Sequence, residues 1–340
     1  MDILTSSEPR ISPKGYRNIA LALVGIALMF LVPTIISNPY YIRIGVTMCY
    51  MSMLVMGLRL MMTAGEFNLA IPAFMAIGAY TTAVLMTDMH WNWWLCMAVA
   101  GGIAMVIALV AGRIVLRVKG IYFAILGFAL VQIMRNVWLN WPGVFGGTSG
   151  IANIPKVDGL SGSIVSYFYL GAGLALFTVV VMYLLEKSRY GLTLRAMGQA
   201  GNLAESVGVN VMRYKLSAFM VGALFAGIAG AFFASLQRFI DPEEFGFFLV
   251  LYLVVYSVVG GVRSFLGPII GVVALLALPI GLKDIPGYDP KIEPIIFGGF
   301  LVVVMLFLPL GFVSLPERVW SLLRWFRRGR REEVGEYGTT

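Results

Sequence analysis

Between Glu186 and Lys215 the chain sets Lys187, Arg189, Arg195, Arg213 and Lys215 against only two acidic residues, Glu186 and Glu205. These thirty residues are the longest polar stretch between apolar runs, and their chemistry is that of a docking surface. Leu192 to Met197 and Leu203 to Val207 are helix-compatible runs separated by Gly198, Gly201 and Asn202, so the spacing predicts a short helix projecting from an apolar body. Ala196, Ala204 and Gly208 would permit close approach of a partner, while Arg195 and Glu205 would set register by polar pairing. A merely solvated basic loop explains the charges but not this helix-forming, small-residue text.

The groups that catalysis needs are missing. His90 is the single histidine, and Cys49 and Cys96 both lie in apolar runs, where a thiol reads as a small buried hydrophobe. Together they cannot supply the ligands of a zinc site. No Gly-Lys dipeptide occurs, so there is no phosphate-binding loop of the G-x-x-x-x-G-K-[ST] type, and no G-x-S-x-G elbow is present. The expectation is a chain that is not an enzyme and binds no cofactor or metal. If ATP and Mg are used, another chain holds them.

Two further segments have the composition of a solute path. Thr63 to Tyr80 contains Gly65 and Pro72, which disfavour continuous helix, with Glu66 and Asn68 between them. Unpaired backbone at membrane depth is tolerated only where protein or a water-filled cavity covers it. A broken helix lining a path and an ordinary short turn are therefore both open. Asn140 to Pro155 carries Gly146, Gly147, Thr148 and Gly150, and such a loop either presents N–H groups to a carboxylate or simply turns.

The elements that must position these residues are membrane spans. Hydrophobic residues make up 59% of the 340 and charged residues only 12%, against roughly 25% charged in soluble domains. Apolar windows long enough to cross about 30 Å of hydrocarbon fall near 19–37, 41–61, 69–87, 93–112, 121–139, 164–186, 216–238, 246–261, 264–282 and 293–311. The eighth and ninth windows, joined by almost nothing, are two crossings or a re-entrant pair. The fold class expected is an all-α integral membrane protein of about ten helices. It divides into a polar N-terminal tail 1–18, a polytopic body 19–311 and a basic tail 312–340.

Nineteen of the twenty-five Lys and Arg fall on one side of that arrangement, five on the other, and Arg135 within a span. The positive-inside rule then puts both termini in the cytoplasm, with an uncleaved first span, and it accounts for the net charge of +8 without nucleic acid. Trp91, Trp93, Trp94, Trp138 and Trp141 stand at outer span ends as headgroup anchors. In the basic tail Trp320, Leu323 and Phe326 sit near helical spacing and suit the inner leaflet. Small residues such as Gly222, Ala226, Gly230, Gly267 and Gly271 suit close helix packing. Gly65 with Pro72 and Gly261 with Pro268 repeat one seven-residue offset. Apart from Glu186 and Glu293 at span ends, no Asp or Glu lies within a crossing. An ion-coupled secondary transporter, which generally keeps ionisable groups in the membrane, is thus the alternative and not the first reading.

The text from Arg189 to Phe219 resembles the cytoplasmic coupling loop of branched-chain amino acid permeases of ABC importers. Lys119-Gly-Ile-Tyr-Phe123 and the Gly146 to Pro155 loop are similar, in order and spacing, to two other signatures of that family. The chain departs from it where a Gly-His pair often stands and Ile71-Pro72 is found instead. The resemblance implies the ABC importer permease fold in a bacterial inner membrane, beside a second homologous permease. It also implies two cytoplasmic ATPase subunits and a periplasmic or extracellular substrate-binding protein. Within it, Arg195, Ala196, Ala204, Glu205 and Gly208 belong to the ATPase-coupling loop. Gly65, Glu66, Asn68, Pro72, Gly146, Gly147, Thr148 and Gly150 are the candidates for the path. The solutes of such permeases include branched-chain amino acids, urea, amides and aromatic acids.

Overall fold

A computed structural model describes residues 38–160, 163–262, 264–283 and 298–299. Among these, nine helices of fourteen residues or more form the body: α1 (Pro39–Thr63), α2 (Ile71–Thr87), α3 (Trp93–Val115), α4 (Ile121–Asn140), α5 (Ile164–Lys187), α6 (Arg189–Ser206), α7 (Val211–Gln237), α8 (Phe247–Gly260) and α9 (Gly267–Lys283). Eight of them coincide with the second to ninth apolar windows, and α6 is the polar helix. The polar start, the first window, the basic tail and the tenth window apart from Gly298 and Gly299 lie outside the described residues.

Six helical segments among the described residues are long and apolar enough to cross a membrane. Their packing divides them by sequence pattern. α3 buries Cys96, Ala100, Ala104, Ala108 and Gly112, a ridge at every fourth residue, while Ile103, Val106, Val110 and Ile114 on its other side are exposed. In water so large an apolar surface would be untenable; in hydrocarbon it is an ordinary lipid-facing wall. α2 is buried nearly all round, against α3, α4 and α7. The helix that carries Pro72 and Tyr80 is therefore the centre of the body.

Glycine makes the centre possible. A Cβ on Gly78 of α2 would stand 2.1 Å from the Gly227 carbonyl oxygen of α7, and one on Gly230 would stand 1.9 Å from that of Met75. Gly57 of α1 meets Gly222 of α7 in the same manner. With no water to expel from between them, helices in lipid gain instead from such close backbone approach, and the small residues of α7 are used for packing as their spacing predicts. The α8–α9 hairpin closes likewise through Gly260, Gly267 and Gly271. At fourteen residues α8 spans about 21 Å at 1.5 Å per residue, short of a full crossing without the Pro242–Phe245 turn that precedes it.

The repeated offset has a structural counterpart. Gly65 (φ 82°) and Gly261 (φ 111°) both hold left-handed backbone after a helix ends, and each next helix carries its proline at the second position. The tryptophan expectation is corrected in part. Trp91, Trp94 and Trp141 are exposed, but Trp93 is wholly buried, its indole donating to the Ala231 carbonyl at 3.4 Å, and Trp138 is stacked on Tyr80. Both rings face the interior because their helices turn that side toward α7 and α2. Cys49 and Cys96 are buried free thiols, as their apolar contexts imply.

The glycine loop after α4 is built as a turn. Gly146, Gly147 and Gly150 all have positive φ, and the N–H groups of Gly146, Ser149 and Gly150 already donate within the loop. Ile151–Ala152 (β1) then pairs antiparallel with Phe239–Ile240 (β2). A Cβ on Gly150 would stand 2.2 Å from the Ile240 carbonyl oxygen. Gly150→Val is therefore expected to destabilise the purified chain by about 3 kcal/mol, near the upper end for overpacking, with its unfolding midpoint as the measurement. A midpoint within a degree of the parent would reject the packing argument.

Candidate functional site

The predicted polar loop is mostly helix. Glu186 and Lys187 complete α5, residues 211–215 open α7 behind the Asn210 cap, and α6 occupies most of the interval. The Asn210 side chain accepts from Arg213 N–H at 3.0 Å, which starts α7 five residues before the apolar window. α6 breaks at Ala200 (φ −148°, ψ 70°), next to Gly201 and Asn202, so the two helix-compatible runs are indeed two arms. Gly208 (φ 87°) turns the chain from the second arm into α7.

α6 is fastened to the spans along one side. Leu194, Met197 and Ala204 are buried. Gly198 lies against Gly65, where a Cβ on either would come within about 3 Å of the other's backbone region. Tyr190 stacks on Tyr214, 5.6 Å between centroids, and its hydroxyl lies 2.8 Å from that of Ser217. Burial raises the Tyr190 phenol above its ordinary range, so it remains neutral and available for these bonds. The opposite side of α6 exposes Leu192, Ala196, Leu203 and Glu205, and Val207, which caps its C-terminus, is exposed beside them. Leu203 and Val207 are 66% and 74% exposed, which is unusual for large apolar residues on a polar helix.

Two buried ion clusters join this end of the molecule. In the first, Lys215 Nζ of α7 donates to Glu66 Oε1 at 2.6 Å, and Gly120 N–H donates to Glu66 Oε2 at 2.9 Å. Glu66 belongs to the break between α1 and α2, and Gly120 stands at the N-terminus of α4 in left-handed backbone. One carboxylate thus ties three elements, and its two oxygens are satisfied as burial requires. In the second, Arg59 Nε of α1 lies 2.8 Å from Glu186 Oε1 as an ion-pair contact, with Nη2 donating to Oε2 at 3.2 Å. Arg195 Nη2 of α6 donates to the same Oε2 at 2.9 Å.

The path candidates separate into two groups. Gly65 and Glu66 stand at the α6 end, engaged as described. Slightly deeper, Asn68 and Pro72 line a narrow void with Leu58, Leu69, Val250, Leu253 and Val254. Asn68 Oδ1 accepts from Ala70 N–H at 3.0 Å, while its buried Nδ2 has no partner among the described residues. Gly146, Gly147, Thr148 and Gly150 lie beyond the far end of α4, a 20-residue helix about 30 Å long, and are not brought near the first group. There Arg135 of α4 pairs with Glu243, whose position in the turn before α8 was not apparent from sequence.

In the sequence Arg59 and Lys215 stand as cations of the inner side and Glu186 as an acidic residue at a span end, and nothing there pairs them. The signal was present, since an ionisable residue at the edge of an apolar run needs a partner. Which residue that is depends on helices 127 and 149 positions apart.

The chain matches the family model described as branched-chain amino acid transport system / permease component over residues 40–308. It is 28% identical over 314 residues to the high-affinity branched-chain amino acid transport system permease protein LivM of Escherichia coli (strain K12), covering 84% of this chain and 72% of that one. It is 27% identical over 252 residues to the L-arabinose ABC transporter permease protein AraH of Azospirillum brasilense, 72% of each chain. It is 24% identical over 285 residues to the galactofuranose transporter permease protein YtfT of Escherichia coli (strain K12), 79% of this chain and 80% of that one. No solved structure matches. With the match running through every described helix, the chain belongs to the family of branched-chain amino acid transport system permease components, the membrane-spanning subunits of ABC transporters.

Proposed function

We propose that this chain is the permease of an ABC importer for branched-chain amino acids or a related small polar solute. It would act in a bacterial inner membrane with about ten crossings and both termini in the cytoplasm. The observation that carries the reading is the two-sided build of α6. One side is locked into the spans, and the other leaves Leu192, Ala196, Leu203 and Val207 exposed at the basic end of the molecule. A helix so exposed suits a cleft in a cytoplasmic ATPase, which would bind the ATP and Mg for which this chain has no phosphate loop. A second permease would complete the path, and a substrate-binding protein would deliver solute at the opposite face, by the glycine loop.

Movement of the two ATPases would push α6. Because α6 shares buried contacts with the α1–α2 break and with α7, the central helices would rock with it. Asn68, with an unsatisfied amide donor between aliphatic walls, suits a carboxylate or amide oxygen of a passing solute. Glu66 and Glu186 are each held by cationic side chains in ion pairs that join helices, a structural use of charge that favours the importer reading over an ion-coupled carrier.

Purification of the tagged chain in mild detergent from its host, with mass spectrometry of what accompanies it, tests the reading. An ATPase and a second permease are expected; a lone chain that moves solute down an ion gradient would overturn it. The docking face has its own test. Leu203→Asp with Val207→Asp should reduce the ATPase recovered at least about tenfold, as loss of an apolar hot spot does, while the chain stays folded. Undiminished recovery would remove α6 from the interface.

A further inference from the structure

Glu186 is one carboxylate held by two arginines from different helices, and the two are not equivalent. Arg59 is buried with it, their side chains 6% and 2% exposed, whereas the Arg195 side chain is 47% exposed. Arg59 also reaches onward. Its Nη1 donates to the Val262 carbonyl at 2.9 Å, and its guanidinium lies 5.5 Å from the centroid of the Phe265 ring. Both residues belong to the turn between α8 and α9. A continuous chain of contacts, two ion pairs and then a guanidinium on a backbone carbonyl and a ring, therefore runs from α6 through the end of α5 to α1 and the α8–α9 turn.

We infer that Glu186 is the joint that passes movement of α6 to α1 and to the α8–α9 turn, with Arg195 as its releasable partner. The inference rests on the importer reading above. Packed apolar side chains, such as Leu194 and Met197, transmit a push because atoms resist overlap, but they oppose separation only weakly. A charge-assisted hydrogen bond is directional and resists being pulled apart, so the Arg195–Glu186 contact supplies the return stroke. Its release leaves no buried charge uncompensated: Glu186 keeps Arg59, and Arg195 swings into water. Breaking the Arg59 contact instead would strand an ion inside the protein. The cluster is thus permanent on its α1 side and reversible on its α6 side, as a two-state coupling element requires.

The test uses the assembled transporter in detergent with Val262→Cys as a reporter on the α8–α9 turn. The reporter keeps the backbone carbonyl that Arg59 uses, and Cys49 and Cys96 are buried, so maleimide labelling of this chain reads the turn. Adding ATP should change the labelling rate. Arg195→Gln should cut that change at least about fivefold, the lower end of an allosteric coupling, whereas Arg195→Lys should keep most of it. Arg195 is turned to Glu186 and the docking face is formed by Leu192, Ala196, Leu203 and Val207, so Arg195→Gln should recover as much ATPase as the parent; a lower recovery would place Arg195 in the interface and overturn its role as the releasable partner. An ATP-dependent change that survives Arg195→Gln, or a turn that never responds to ATP, would overturn the inference while the importer reading stands. A parent chain that brings no ATPase would overturn both.

Discussion

Glu66→Gln is expected to be the most damaging single substitution in this protein that leaves side-chain volume unchanged. It would leave Lys215, whose side chain is 11% exposed, without a counter-ion in the body of the molecule. Removing one partner of a buried pair costs about 3–5 kcal/mol, a large share of the roughly 5–15 kcal/mol that holds a typical folded domain. The Gly120 N–H would retain an acceptor in the glutamine oxygen, so the loss isolates the charge. Pairing Glu66→Gln with Lys215→Met removes the stranded ion and should recover most of the stability. Detergent-denaturation curves of the parent, the two single variants and the double variant measure this directly. A double variant no better than the worse single one would mean that the pair is not the source of the effect.

Gly230→Val should have a comparable effect by a different route. In an isolated helix, replacing glycine usually gains stability, by as much as about 1 kcal/mol for alanine. Here the first carbon of any side chain would lie 1.9 Å from the Met75 carbonyl oxygen and 2.8 Å from the Ala79 nitrogen, both of them backbone atoms of the central helix. Backbone cannot rotate aside as a side chain does, so α2 and α7 must separate, and the Gly78–Gly227 contact one turn away would open with them. The expected loss is about 3 kcal/mol or more, read as a collapse of the monodisperse fraction on size exclusion. Gly173→Val is the control: nothing lies within 4 Å of its Cβ position, and it should behave as the parent. Equal behaviour of the two variants would show that the close α2–α7 approach is not what holds the body.

The amino-acid sequence alone determined what kind of molecule this is. A long apolar run has one stable state in hydrocarbon, a helix, because every backbone polar group must be satisfied within the segment. Eight of the described helices therefore coincide with apolar windows, six of the helical segments being long and apolar enough to cross a membrane, and the family signatures around Lys119, Gly146 and Arg195 were legible as text. Local chemistry was legible too. Gly201 and Asn202 marked the break in α6, and Gly65 and Gly261 marked the turns before the proline-led helices.

What the sequence could not determine was which face of each helix turns inward and what stands opposite it. Trp93 and Trp138 have the same identity and span-end position as Trp91 and Trp141, yet two are buried and two exposed. Glu66, Gly120 and Lys215 lie in three separate motifs, and nothing local says that one carboxylate joins them. Likewise Arg195 reads as an outward-facing docking charge until α5 is seen to end with Glu186 beneath it. A single charge at a span end has several cations of the right sign within the chain. Only the packing of glycine-faced helices at backbone distance selects among them, and that selection is a property of the tertiary structure.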